Sequence, residues 1–361
     1  MTLISSMRPA PPVDGPIRFL RRNFFASPVQ SALTIICVSL VILVAWRIFT
    51  WAFVGAVWVG TPEDCHQATG ACWAVIADRY RLILFGLYPY EQQWRSALAC
   101  LAILLTVVLS CMPFFWSIRL LPPVWVAGYA AFYLLMKGGL FGLPLIMETE
   151  WGGLALTTFV FSSNVLIGMP LAIGLALLRR SKLPVISLVA ALFIDGIRSL
   201  PLIAILFTAA IVLPFALPDF LVGDKLYRVI LGGSVFFAVY QAEIIRGGIQ
   251  ALPAGQEEAA AALGLNYWQT VSRIVLPQAF RYALPPTINQ VVIAFMETAL
   301  IVILGFFEVT ASGNAAFSAG GWSDYFVEVY CFVALIYFTF TFSLSRYGAY
   351  LERSLKASSR R

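Results

Sequence analysis

Eight apolar stretches of helix length leave this chain one solvent to fold in. They run Ala32–Val59, Ala97–Trp116, Val124–Ile146, Leu154–Leu178, Pro184–Leu213, Arg228–Ile249, Tyr282–Leu304 and Phe326–Tyr347. About 20 mostly apolar residues cross the hydrocarbon of a bilayer as a helix. The composition agrees: 60% of the 361 residues are hydrophobic and 12% charged, against roughly a quarter charged in a soluble domain. Spanning strands would alternate over about ten residues and must close into a barrel, and no such alternation is present. The fold expected is an all-α polytopic membrane protein with about eight transmembrane helices.

The basic residues orient it. Arg18, Arg21 and Arg22 precede the first stretch, Arg119 follows the second, and Arg179, Arg180 and Lys182 follow the fourth. Arg246, Arg273 and Arg281 fall between the sixth and seventh, and Arg346, Arg353, Lys356, Arg360 and Arg361 close the chain. Short loops rich in Lys and Arg stay cytoplasmic, so both termini are expected inside. The net charge of +6 then reflects membrane topology rather than nucleic-acid binding. Arg79, Arg81, Arg95, Lys225 and Arg228 fall on or near the outer side as exceptions. Residues 1–28, proline-rich and basic with no cleavage pattern after the first apolar run, read as a disordered cytoplasmic tail and not a cleaved signal.

On this topology residues 60–94 form the longest external loop, carrying Cys65, His66 and Cys72. Two extracytoplasmic cysteines at this spacing are compatible with a disulfide, free thiols or a metal site. The other four cysteines lie in apolar runs and read as small core residues.

Much chemistry is missing. His66 is the single histidine, so an intramembrane Ser–His pair or histidine-ligated metal has nothing to use, and no metal site or catalytic residue is expected. None of the four lysines follows a glycine, so no P-loop grips nucleotide phosphates. A channel, a secondary transporter or the membrane half of a machine powered elsewhere remain.

The run of spans is interrupted at residues 247–280. Pro253 and Gly255 make a turn, and QEEAAAAL from Gln256 is strong helix former throughout. Gly264 stands where a helix ends in a left-handed cap. Asn266 with Gln269 forms a capping-box pattern for a second short helix, with Trp268, Val271 and Val275 on one face and Pro277 as its stop. Two short helices around a glycine corner fit a helix that enters another protein's groove, or an ordinary loop with incidental helicity.

Glu258-Ala259-Ala260, Gly264 and Ile274-Val275-Leu276-Pro277, at these spacings, resemble the EAA signature of ABC importer permeases. AEIIRGGIQALPAGQEEAAAALGL, ILGFFEVT and FIDGIRSLPLIAIL are similar to the polar amino-acid uptake branch of that family, over about Trp151 to Arg353. KGGLFGLP and the extra N-terminal spans resemble the larger permeases of general L-amino acid importers. The resemblance implies a five-helix type I importer core at 151–353, preceded by three additional helices within 29–150 and followed by a basic tail at 354–361. It implies that Glu257, Glu258, Ala259, Ala260, Gly264, Ile274, Leu276 and Pro277 couple the chain to an ATPase.

Charges at membrane depth mark a pair, a pathway or an interface. Asp195 and Arg198 share a helical face and form an ion pair or a substrate contact. In FMETALIVILG the family shows a Lys-Asp pair followed by Thr-Ser; here Met296 replaces the lysine, Glu297 the aspartate and Ala299 the serine. Glu297, with Thr298 beside it, either faces the translocation path, pairs with an arginine elsewhere or reaches interfacial water. Lys137 and Arg47 have stems long enough to snorkel, and the Gly-Gly pairs suit close helix packing.

The resemblance implies a permease that moves L-amino acids from periplasm to cytoplasm by alternating access in a bacterial inner membrane, itself non-catalytic. Its partners would be two copies of an ABC ATPase, which bind the ATP and Mg that this chain does not, a second and non-identical permease subunit, and a periplasmic amino-acid-binding protein. That protein would meet the loops at 214–227 and 305–325. The alternative is a secondary transporter or channel for small polar solutes, which leaves the EAA-like segment unexplained.

Overall fold

The computed structural model describes residues 15–117, 119–253 and 255–358. Contacts divide the chain into two compact units, Met1–Ala74 and Val75–Arg361. The boundary falls inside the expected segment 29–150, whose second and third helices lie in the second unit. Residues 1–14 of the expected N-terminal tail and 359–361 of the expected C-terminal tail lie outside the described residues.

In the first unit a short helix, α1 (Pro16–Phe24), replaces part of the expected disordered tail. α2 (Pro28–Phe49) follows, with Ser27 as N-cap and Pro28 in the first turn, and a π-helical turn carries it to Val54. None of α2's residues is buried, as suits a helix whose neighbours are lipid tails. Cys65 and Cys72 are joined in a disulfide, with Cα atoms 5.6 Å apart. Beside it Trp73 stacks on Trp58 at 6.0 Å and donates from Nε1 to the Ala52 carbonyl at 2.7 Å.

The second unit is built from helices alone; among the described residues no strands occur, only isolated bridges. The expected external loop 60–94 is largely helical, holding Pro62–His66 in the first unit and, in the second from Val75 on, α3 (Ala74–Phe85) and a 3₁₀ turn at Tyr90–Gln92. α4 (Gln93–Cys111) ends earlier than expected, because Met112 precedes Pro113 and is pushed out of helical space. α5 (Leu121–Lys137) stops nine residues short of Ile146, where Gly138 takes φ 70°, a conformation glycine adopts without penalty. α6 (Gly153–Arg179) matches its expectation.

The fifth expected span, Pro184–Leu213, is broken. α7 (Pro184–Arg198) and the segment Leu202–Ala216, which begins with α8 (Leu202–Phe207), meet at 104°. Pro201 forces Leu200 out of helical space and cannot supply an N–H to continue α7. α9 (Lys225–Gln250) returns through the membrane. After two short helices, α10 (Gln256–Ala262) and α11 (Tyr267–Thr270), a π turn leads directly into α12 (Leu276–Glu297). α13 (Val309–Phe317) and α14 (Phe326–Ser358) complete the chain. Among the described residues six helical segments are long and apolar enough to cross a membrane, seven if the bent pair is one span, and α5 is a further apolar helix of 17 residues.

In lipid, helices associate through close packing and not through loss of water-exposed surface. Small residues make that packing possible: a Cβ on Gly168 of α6 would come within 2.6 Å of Phe237 on α9, and one on Gly248 of α9 within 2.5 Å of the Ala279 carbonyl on α12. An aromatic cluster joins α5 to α6, with Phe132 stacked on Phe159 at 4.7 Å and Trp151, just before α6, edge-on to both. Arg95, expected on the outer side, is wholly buried and donates to the carbonyls of Leu135 and Pro144. The four remaining cysteines are not all core residues: Cys100 is buried, Cys111 half-buried, and Cys37 and Cys331 are exposed. A thiol is apolar enough to face lipid as well as protein.

Candidate coupling loop and translocation path

The interruption after α9 folds as a rigid corner. Gly255 takes φ 90° and starts α10. At the other end the Leu265 N–H donates to Ala260 O at 3.1 Å and the Gly264 N–H to Ala261 O at 2.9 Å, the pair of bonds that defines a Schellman cap. Gly264 has φ 73° and open space where a Cβ would sit, so backbone conformation, not crowding, selects glycine there. Asn266 and Gln269 cap each other reciprocally, at 2.9 and 3.0 Å, as the spacing predicted.

Pro277 does not end the second helix. Residues Val271–Val275 form a π turn in which the Leu276 N–H reaches back to Val271 O. The wider turn accommodates a ring that carries no N–H, and the helix runs on into α12. Residues 267–304 thus form one helical segment of 38 residues. The expected face of Trp268, Val271 and Val275 is split: the two valines are buried, while Trp268 is 69% exposed beside Tyr267 and Leu263, the last 79% exposed. Sequence reasoning missed this exposed trio, although an aromatic pair right after an N-cap was a usable signal.

Of the eight expected coupling residues, Ala260 is buried and anchors α10, whereas Glu257, Glu258, Ala259 and Gly264 are exposed. Leu276 and Ile274 are partly buried and Pro277 is exposed. Two contacts tie the corner to the bundle. Arg180, following α6, donates to the Glu257 carboxylate, and Gln278 of α12 donates to the Gln256 side chain at 3.2 Å.

Next to the corner lies a charge cluster joining the ends of three helices. Arg179 of α6 makes two bonds to Asp195 of α7, at 2.9 and 3.1 Å, and lies 3.1 Å from Glu243 of α9. Glu243 also takes two-pronged donation from Arg246, the closest at 2.8 Å. Arg198 sits 4.0 Å from both Asp195 and Glu243. The expected Asp195–Arg198 pair is thus secondary, because Arg179 presents its planar fork to Asp195 while Arg198 lies over the Tyr240 ring. Glu243 and Arg246 were also missed; their i, i+3 spacing in AEIIRGG is the sequence signal.

Glu297 and Thr298 lie elsewhere, so the structure does not bring the four expected pathway residues together. Glu297, at the end of α12, is half-buried in a crevice shared with Asn164, Gly233, Phe237 and Thr298. No described residue pairs with its carboxylate, and Asn164 Oδ1 in the same crevice also lacks a hydrogen-bond partner. Glu308 is a contrast. It is fully buried and satisfied, accepting from the N–H groups of Thr310 and Ala311 at 2.8 and 2.9 Å and from the Tyr337 hydroxyl at 3.1 Å.

At the opposite end of α9 from the corner, Glu148 accepts from Lys137 at 2.7 Å and from the Tyr227 hydroxyl at 3.1 Å. Burial pushes its carboxyl up, but these bonds and one from its own backbone outweigh burial and hold it below the usual carboxylate range.

Comparison with known proteins bears on what this arrangement is. A family profile described as "Binding-protein-dependent transport system inner membrane component" matches residues 165–357. The inner membrane amino-acid ABC transporter permease protein YhdY of Escherichia coli is 40% identical over 341 residues, 93% of this chain and 92% of its own. The glutamate/glutamine/aspartate/asparagine transport system permease protein BztC of Rhodobacter capsulatus is 32% identical over 98% of this chain and 97% of its own. A crystal structure of an amino acid ABC transporter with histidines is 28% identical, covering 55% of this chain and 90% of that one, with a TM-score of 0.48. The chain therefore belongs to the binding-protein-dependent transport system inner membrane components, the membrane subunits of ABC importers that the resemblance indicated.

Proposed function

We propose that this chain carries L-amino acids inward across the inner membrane by alternating access, driven by a separate ATPase that docks on the corner at residues 256–277. The observation that carries the reading is the build of that corner. Its glycine cap, reciprocal Asn266–Gln269 cap and ties to Arg180 and Gln278 make it stiff, and it continues without a break into the helix that ends at Glu297. A stiff element with exposed Leu263, Tyr267 and Trp268 suits a protein interface, since large apolar groups left exposed on a soluble face mark contact surfaces.

The solute class rests on the relatives, whose names specify amino acids. Within this chain Glu297 would meet the substrate's ammonium group, with Asn164 and Thr298 as polar neighbours. Two ATPase copies would bind ATP and Mg and close on the corners of two permease subunits. The second of these is a non-identical chain, and a periplasmic binding protein would deliver the solute. Asp195 and Arg198, locked with Arg179, Glu243 and Arg246, would hold three helix ends as one body rather than touch solute.

Affinity purification in mild detergent tests the coupling site, comparing wild type, Gly264→Asp and Gly264→Asn. Both variants can adopt the left-handed conformation, and they differ in charge. Co-purification of an ATPase with wild type and Gly264→Asn but not Gly264→Asp supports the reading. Solute movement by the lone chain in liposomes under an ion gradient, with no ATPase captured, would instead establish a secondary transporter.

A further inference from the structure

We propose that α1 lies in the membrane interface beside the start of α2 and binds anionic lipid headgroups through Arg18, Arg21 and Arg22. This inference is independent of the solute carried.

Helical spacing sorts the nine residues of α1, PIRFLRRNF, into two faces. Ile17, Leu20 and Phe24 follow i, i+3, i+7 and lie along one side. Arg18, Arg21 and Arg22 fill the adjoining arc, with Arg21 bordering Ile17, and the segment holds no acidic residue. The apolar side chains are exposed, Ile17 at 82%. In water three large apolar groups would stay hydrated, whereas at the boundary of headgroups and acyl chains that face sinks about 5–10 Å and the arginines remain at headgroup level.

The junction with α2 keeps the helix at that boundary. Ser27, in an extended conformation, caps α2 by accepting from the Gln30 N–H at 3.2 Å. The Thr34 hydroxyl, in the second turn of α2, donates to the Phe24 carbonyl at 2.8 Å. The last turn of α1 is therefore fixed to the first turns of a spanning helix, and α1 is held beside the bilayer surface. Three positive charges at that depth select anionic over zwitterionic lipid, by roughly fivefold per arginine.

The test uses the full chain in nanodiscs of phosphatidylcholine, alone or mixed with phosphatidylglycerol, and reads amide hydrogen exchange over residues 16–24. Phosphatidylglycerol should slow exchange at least fivefold in wild type, and salt at about 1 M should remove the effect by screening. The triple variant R18Q/R21Q/R22Q should exchange alike in both lipids. I17S/L20S should exchange quickly in both, because the apolar face no longer inserts. Equal exchange of wild type in the two lipids overturns the proposal. So does protection that persists in both lipids and in the triple glutamine variant, which would mean that a protein surface covers α1.

Discussion

Arg180 and Glu257 are 77 positions apart in sequence and bonded in space, so the end of the first core helix is tied to the first turn of α10. Both side chains are more than a third exposed, and a surface pair of this kind adds at most about 1 kcal/mol to stability. Arg180→Gln should leave the unfolding temperature nearly unchanged while lowering solute moved per ATP hydrolysed in the reconstituted complex. Unaltered coupling would reduce the contact to a surface pair.

Gly264 should respond to shape alone in a graded way. Its φ of 73° costs a Cβ-bearing residue about 1 kcal/mol, so Gly264→Ala should fray the corner by that amount. Gly264→Asn should lose less. Hydrogen exchange at Leu265, whose N–H closes the cap, reads both.

Among the described residues Glu297 has no partner, and it lies in one crevice with Asn164. A charge-assisted bond from a substrate ammonium is worth about 1.5–3 kcal/mol. Glu297→Gln should therefore raise KM for transport by roughly ten- to a hundredfold, with assembly unchanged. A KM equal to wild type would leave the residue only a structural part.

The Lys137–Glu148 pair predicts a pH dependence. Because Glu148 titrates below its ordinary value of 4.5, its contribution to stability is complete above 4.5 and fades as pH falls through the lower folded value. Lys137→Met should cost about 1–2 kcal/mol at neutral pH, a discount on a fully buried pair because Lys137 is partly exposed. That difference should shrink as pH falls and the stranded carboxyl, which burial alone pushes up, protonates first. Thermal unfolding of both proteins at two pH values measures it.

The Cys65–Cys72 bridge closes a short loop, and chain entropy gives it about 2.5 kcal/mol. Reduction, or Cys65→Ser, should speed amide exchange around Trp73 by up to roughly fiftyfold. No change would mean that the tryptophan stack alone holds the turn.

The sequence made the helices and the corner legible because both are written locally. Apolar length marks a span, and Gly264 and the Asn266–Gln269 spacing mark caps. Boundaries were less legible where one residue decides between outcomes. Pro201 breaks a span, while Pro277 is absorbed by a π turn, and local pattern treats the two alike. The partner of Asp195 was hidden for another reason. Arg179 lies 16 positions away on a different helix, and only tertiary packing brings it closer than Arg198.

The unbroken helix from Tyr267 to Glu297 has a mechanical consequence. At a rise of 1.5 Å per residue it is a rod of about 45 Å, and a tilt of about 5° at one end displaces the other by about 4 Å. That exceeds the length of a hydrogen bond. Pro285 and Pro286, inside the rod, donate no N–H to the bonding that would resist flexing there, so they mark its natural fulcrum. On the proposed coupling, a push on Trp268 too small to register as a domain motion would be enough to open or shut the surroundings of Glu297.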